Sequence, residues 1–226
     1  ITIPTAVNNH FDATVEAGSF STQRATFAAS HGSSRHQTRF SVDYLDSDGT
    51  NIARNGGEDD GLENLTLSLA GHYAATDNVS LSYTVRYTDK TSEFDAIDFF
   101  TTGLPVDADY ETDSEYFYAG AALAHTINDT FDHSLKFSRT DTDNETSSGN
   151  PNKDITRGVR DAFKYQFNYL GGANRLSLLL EHESQDYKQR GTASFFGDPN
   201  QNLDADTDSF AAEYRYDGDR FNFSLS

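Results

Sequence analysis

The chain contains no cysteine, no methionine and no tryptophan. Without cysteine there can be no disulfide framework, thiolate metal site or thiol nucleophile. The same absence suits a protein that crosses an oxidising periplasm. Cations are scarce, with 17 Lys and Arg against 36 Asp and Glu and a formal net charge of -19. Binding nucleic acid needs clustered cations to displace phosphate counterions, so no nucleic-acid partner is expected. Long apolar runs are also missing, and no stretch approaches the ~18 residues of a membrane helix. No signal peptide precedes Ile1-Thr-Ile-Pro4, as expected of a mature chain or a fragment.

What is present points elsewhere. Aromatic residues make up 13% of the chain, too many for an acidic disordered segment. The dominant signal is alternation with period two. Val79, Leu81, Tyr83, Val85 and Tyr87 share one face of a strand, and Ser80, Ser82, Thr84 and Arg86 share the other. Leu65, Leu67 and Leu69 repeat this, as do Phe163, Tyr165, Phe167 and Tyr169. Phe210, Ala212, Tyr214 and Tyr216 follow, then Phe221, Phe223 and Leu225. Leu176 to Leu180 is apolar on both faces.

The pattern predicts about eleven strands, near 10–17, 21–31, 36–46, 63–75, 79–90, 114–127, 131–142, 158–169, 174–186, 208–216 and 220–226. Several exceed the ~5–6 residues of a globular strand and reach the ~9–11 that a tilted strand needs to cross a bilayer. Short turns (Thr76-Asp77-Asn78, Asn128-Asp129-Thr130, Gly171-Gly172-Ala173-Asn174, Asp217-Gly218-Asp219) alternate with long polar loops near 46–62, 91–113, 143–157 and 187–207. Outer-membrane barrels show this asymmetry, with short periplasmic turns and long external loops.

The fold class expected is therefore all-β, an antiparallel up-and-down transmembrane β-barrel. A β-propeller shares the ~40–45-residue period but packs four short strands into it. An odd strand count does not close a bacterial barrel, so the sheet is expected to be part of a larger one. Residues 10–226 would form the partial barrel and residues 1–9 the end of an upstream domain.

The acids are unevenly spread. Asp46, Asp48, Glu58, Asp59, Asp60 and Glu63 crowd one loop, and Asp89, Glu93, Asp95, Asp98, Asp107, Asp109, Glu111, Asp113 and Glu115 crowd the next. Calcium takes ~6–8 oxygen ligands in irregular geometry, which two neighbouring acidic loops can supply. The other reading is a solvated acidic rim. The histidines (His10, His31, His36, His72, His125, His133 and His182) are scattered and carry no i, i+4 zinc spacing. No Gly-x-Ser-x-Gly, phosphate loop or dinucleotide fingerprint occurs. An enzyme is not expected. The enzymatic alternative is a barrel of the outer-membrane phospholipase or protease kind. Most tyrosines sit towards strand ends, as in interfacial girdles, with Tyr110 placed in a loop.

Two segments carry a family resemblance. Asp43 to Gly61 resembles the second external loop of TonB-dependent outer-membrane receptors, and Ala13-Thr-Val-Glu-Ala-Gly-Ser-Phe20 resembles their first barrel strand and tight loop. Membership implies an about 22-stranded barrel around a plug, energised by the inner-membrane TonB complex and embedded in outer-membrane lipid and lipopolysaccharide. Ile1-Thr-Ile-Pro4 would be the last stretch of the plug. Within the family the chain is most similar to the vitamin B12 (cobalamin) transporters, with iron-siderophore receptors second. A passive porin or adhesin barrel is the rival outside the family. The cobalamin likeness implies calcium held by Glu58 and Asp60 of one loop and Asp95 and Asp107 of the next. Asn51 stands where a further acid is expected, with Asp46 or Asp48 as substitutes. Asn51, Arg54, Phe99 and Tyr110 are the loop residues expected to meet substrate.

Overall fold

The structure is a computed structural model, and it describes residues 9–53, 56–149, 152–195 and 197–226. It contains eleven strands: β1 (His10–Ala17), β2 (Gln23–Gly32), β3 (His36–Ser47), β4 (Leu62–Ala74), β5 (Val79–Ile97), β6 (Pro105–Thr126), β7 (Phe131–Ser147), β8 (Asp154–Gly171), β9 (Asn174–Arg190), β10 (Gln201–Asp217) and β11 (Asn222–Leu225). They form one sheet in chain order, each strand hydrogen-bonded to the next. Every pairing is antiparallel. This is the up-and-down wall of the transmembrane-barrel class that the alternation predicts.

Side-chain chemistry sets the turns at the short end. The Thr76 hydroxyl accepts the amides of Asn78 and Val79, at 3.2 and 3.0 Å. The Asn128 side chain accepts those of Thr130 and Phe131, at 2.9 and 3.0 Å. Each is a local turn mimic that fixes the reversal without a long loop. At the other end the first reversal is strained. Phe20 and Ser21 both have positive φ, 59° and 53°, and β2 therefore starts at Gln23 rather than at residue 21.

Several strands run further than the apolar pattern indicates. β5 extends to Ile97 and β6 begins at Pro105, so much of the expected 91–113 loop is strand. β7, β8, β9 and β10 lengthen in the same direction. β11 is shorter than expected. In the extensions of β7 to β10 polar residues dominate both faces, so the period-two signal fades while the backbone ladder continues. Cross-strand ion pairs replace the apolar contacts. Arg157 meets Asp143 and Glu145 at 2.6 and 3.1 Å, and Lys153 meets Asp113 and Glu145 at 3.2 and 3.5 Å.

The two faces differ. On one, register joins Phe27, Val42, Leu67, Tyr87 and Phe117 in a row across β2 to β6. The next strand continues that row with Asp141. The apolar band has by then stepped down to Leu135 and Phe137 on β7, and it lies at Leu176 to Leu180 on β9. An apolar band that slants across the ladder becomes level only if the strands tilt, as they do in a sheared barrel. The opposite, polar face carries Ala28, Ser30, Thr88, Ser114 and Ala162, all at most 9% exposed. Burial on the polar side marks that side as the enclosed, concave one. No side chain of the sheet is fully buried, and Val15, Phe210 and Phe11 of the apolar face are over 60% exposed. Such a face needs an apolar surrounding to be stable.

Candidate metal and ligand site

At the long-loop end the ladder between β5 and β6 is interrupted. Phe94 pairs with Tyr110 and Ala96 with Val106, so Asp95 alone faces Asp107, Ala108 and Asp109. A bulge of this kind re-aims a side chain. The Asp95 carboxylate accepts the Ala108 amide at 3.1 Å through one oxygen. Its other oxygen is buried without a partner, in a residue 8% exposed.

The loop between β3 and β4 folds over this bulge and is pinned by main-chain contacts. The Gly61 amide donates to Glu93 at 2.8 Å, and the Glu93 amide donates back to the Gly61 carbonyl at 3.0 Å. The Gly57 amide reaches both Asp107 oxygens, at 3.2 and 3.3 Å. The Asn51 side-chain amide donates to the Glu58 carbonyl and to Asp107. Glycine is required twice here. A Cβ on Gly49, whose φ is +71°, would stand 1.8 Å from the Asp60 carbonyl oxygen, and one on Gly56 would stand 2.0 Å from the Asn51 nitrogen.

The result is a convergence of carboxylates. Ligand oxygens of Glu58, Asp95 and Asp107 lie within 4.8 Å of one another. The Asn51 Oδ1 is buried nearby with no hydrogen-bond partner, and both Asp60 carboxylate oxygens are buried with the Ile52 backbone amide approaching them outside good hydrogen-bond geometry. Burial, and then the charges of Asp107, Asp109, Asp95 and Asp60, raise the Glu58 carboxyl above its ordinary value. Burial, and then Asp95, raise Asp60 in the same way. No cation among the described residues pairs with any of the four acids. Orphaned acceptor oxygens around converging negative charge are the donor set of a hard, oxygen-seeking cation. Three converging carboxylates, with the Asp60 carboxylate and the Asn51 amide oxygen in their neighbourhood, suit a cation that accepts irregular cages, as calcium does, better than one that demands an octahedron, as magnesium does.

The predicted residues divide accordingly. Glu58, Asp95 and Asp107 come together, Asp60 lies near enough to feel their charge, and Asn51 is hydrogen-bonded to Glu58 and Asp107. Asp46 and Asp48 do not. Asp46 sits in β3 opposite Gln23 and Glu63, and the Asp48 amide binds the Phe20 carbonyl at 3.0 Å. Arg54 lies outside the described residues. Tyr110 is in β6 rather than in a loop, edge-on to Phe94 with ring centroids 5.7 Å apart. Phe99 is 79% exposed at the tip between β5 and β6. Sequence reasoning passed over the bulge at residues 107–109, for which the alternation carries no signal.

The tip holding Phe99 is organised by Asp98. Its carboxylate accepts the amides of Phe100, Thr101 and Thr102 at 3.0–3.2 Å and the Thr102 hydroxyl at 3.1 Å. Burial pushes this carboxyl up, but the hydrogen bonds prevail and hold it below its ordinary value. A depressed carboxylate stabilises the fold above its unfolded pKa and loses that contribution as pH falls through the folded one. Asp98→Ala is therefore expected to speed amide exchange at residues 100–102 near neutral pH. Wild type should show the same loosening only in acid. Equal exchange in both proteins at neutral pH would refute the role.

Neither a scan of family models nor a search of curated proteins finds a match. Solved structures do match. P. aeruginosa FpvA bound to heterologous pyoverdines superposes with a TM-score of 0.66 at 12% identity, over 95% of this chain and 36% of that one. The ferric-catecholate import receptor Fiu of E. coli K12 gives 0.63 at 12%, over 94% and 42%. The RagAB peptide transporter gives 0.59 at 13%, over 90% and 31%. The likeness is one of fold. The chain spans between about a third and two-fifths of each of these proteins.

Proposed function

We propose that this chain is part of the barrel wall, with the substrate-facing loops, of a TonB-dependent outer-membrane receptor that takes up a scarce nutrient without covalent chemistry. The apolar band that tilt makes level supports a bilayer setting, with outer-membrane lipid against that face and lipopolysaccharide at its outer edge. The long-loop end is then external. A plug supplied by the rest of the protein sits in the lumen and carries the contact with TonB. The fold neighbours include receptors for ferric catecholates and pyoverdines, which favours a ferric siderophore. The convergence of Glu58, Asp60, Asp95 and Asp107 supports cobalamin, through calcium.

The observation that carries the loop reading is the unpartnered, buried Asp95 oxygen facing Glu58 and Asp107. Calcium held there would fasten the β3–β4 loop to the β5–β6 ribbon and present Asn51, Phe99 and Tyr110 on ordered backbone. Without calcium, four like charges repel. Glu58 and Asp60 take up protons more readily than ordinary carboxyls. Calcium affinity is therefore expected to fall as pH drops through their raised range, because a proton competes for each ligand.

The test is binding of cyanocobalamin and of ferric pyoverdine to the detergent-purified full-length protein, first in calcium and then in EDTA. Cobalamin binding that weakens on chelation supports the substrate and the metal together. Pyoverdine binding indifferent to EDTA selects the siderophore reading and removes the calcium role. Binding of neither compound removes both substrates.

A further inference from the structure

The concave face carries a second arrangement, distant from the rim carboxylates. Lys136 of β7 stands directly opposite Lys164 of β8. Opposed like charges destabilise a strand pair. Lys164 relieves its share by turning to Glu181 on β9, at 2.7 Å. Lys136 has no ion-pair partner among the described residues, and its neighbour on the other side is Ala122 of β6. One cationic charge is therefore left over on this part of the wall.

The surroundings suit an anion. Ser82, Tyr118, Ala122, Ser138 and the two lysines line a cavity of about 350 Å³. Ala121, Ala162 and Phe137 complete its lining. The Tyr118 ring lies along β6 over Gly120, where an added Cβ would stand 2.9 Å from its Oη. That pose carries the phenol hydroxyl towards Ala122, the residue facing Lys136. Two ammonium groups and the hydroxyls of Tyr118 and Ser138 thus border one opening, with the Ser82 hydroxyl beside them paired to His72 at 3.2 Å. Charge-assisted bonds from ammonium groups to carboxylate or phosphate oxygens are among the strongest polar contacts available.

We propose that this cavity is a subsite for an oxyanion, a carboxylate or phosphate carried by a small solute, with Lys136 as its principal ligand. Glu181 tunes the site by holding Lys164 to one side. The subsite rests on the sheet and its register, and not on the rim metal or on either substrate named above.

The test is calorimetric titration of the full-length protein in detergent and EDTA with citrate, inorganic phosphate and, as a neutral control, sucrose. EDTA removes rim calcium as a source of anion binding. Citrate or phosphate is expected to bind, sucrose is not, and added salt should weaken the binding. Lys136→Gln should lower affinity about tenfold or more, the loss of one charged hydrogen bond. Lys136→Arg should keep most of it. Glu181→Gln should raise it by releasing Lys164. Preference for citrate identifies a carboxylate site, and preference for phosphate a phosphate site. No binding of either anion, or equal affinities in wild type and Lys136→Gln with unchanged circular dichroism, would overturn the proposal.

Discussion

Leu67→Arg in the full-length protein is expected to lower stability in a bilayer by about 2–4 kcal/mol, the cost of a guanidinium at the lipid midplane. Ser68→Arg, one residue on, should cost far less. The two positions differ in face alone. Leu67 lies in the row of Phe27, Val42, Tyr87 and Phe117, and Ser68 lies in the polar row between Ser41 and Arg86. Adjacent residues on a strand point to opposite sides, so the pair isolates the medium each face meets. Denaturant unfolding from phospholipid vesicles measures the difference. Comparable losses at both positions would remove lipid from the apolar face and with it the membrane reading.

Asp95→Asn is expected to reduce calcium affinity of the full-length protein by more than the ~10–100-fold typical of losing an outer-shell partner. The change removes charge and keeps shape. One Asp95 oxygen is already used by the Ala108 amide, and the other is buried without a partner. An amide placed there offers the cation a weaker ligand or turns a nitrogen towards it. Asn51→Asp tests the same geometry in the opposite direction. The Asn51 oxygen is orphaned beside the cluster, so a carboxylate there should tighten binding. It should also weaken the metal-free loop, through repulsion from Asp107. Calorimetric titration with calcium reads both. If Asp95→Asn binds calcium as wild type does, the bulge is only a structural irregularity.

Much of this was legible along the chain. The alternation at Val79 to Tyr87 and at Phe163 to Tyr169 depends only on which residues tolerate lipid and which need water. That preference is local, so the strands and their faces could be read directly. Thr76 and Asn128 likewise close their turns through their own side chains. The outer halves of β5 to β10 were not legible. There polar residues dominate, and pairing rests on backbone bonds and on cross-strand partners such as Arg157 with Asp143 and Phe94 with Tyr110. Such partners are distant in sequence.

The candidate site shows the same division. The resemblance singled out Glu58, Asp60, Asp95 and Asp107, and composition alone marked both loops as acidic. Choosing among fifteen or so neighbouring acids was beyond one-dimensional reasoning, because like charges look alike until something fixes their distances. A bulge sets Asp95 opposite Asp107 to Asp109, and glycines at 49 and 56 let the loop approach closely enough to bury the side-chain oxygens of Asp60 and Asn51. Asp46 and Asp48 stay outside because β3 keeps its register up to Ser47. The sequence by itself determined the number of strands, which side of each is apolar and which end carries the loops, since those follow from residue-by-residue solvation. Only the tertiary structure decided the slant of the apolar band across the ladder, which acids converge and that Lys136 faces Lys164, because each depends on residues that the chain keeps far apart.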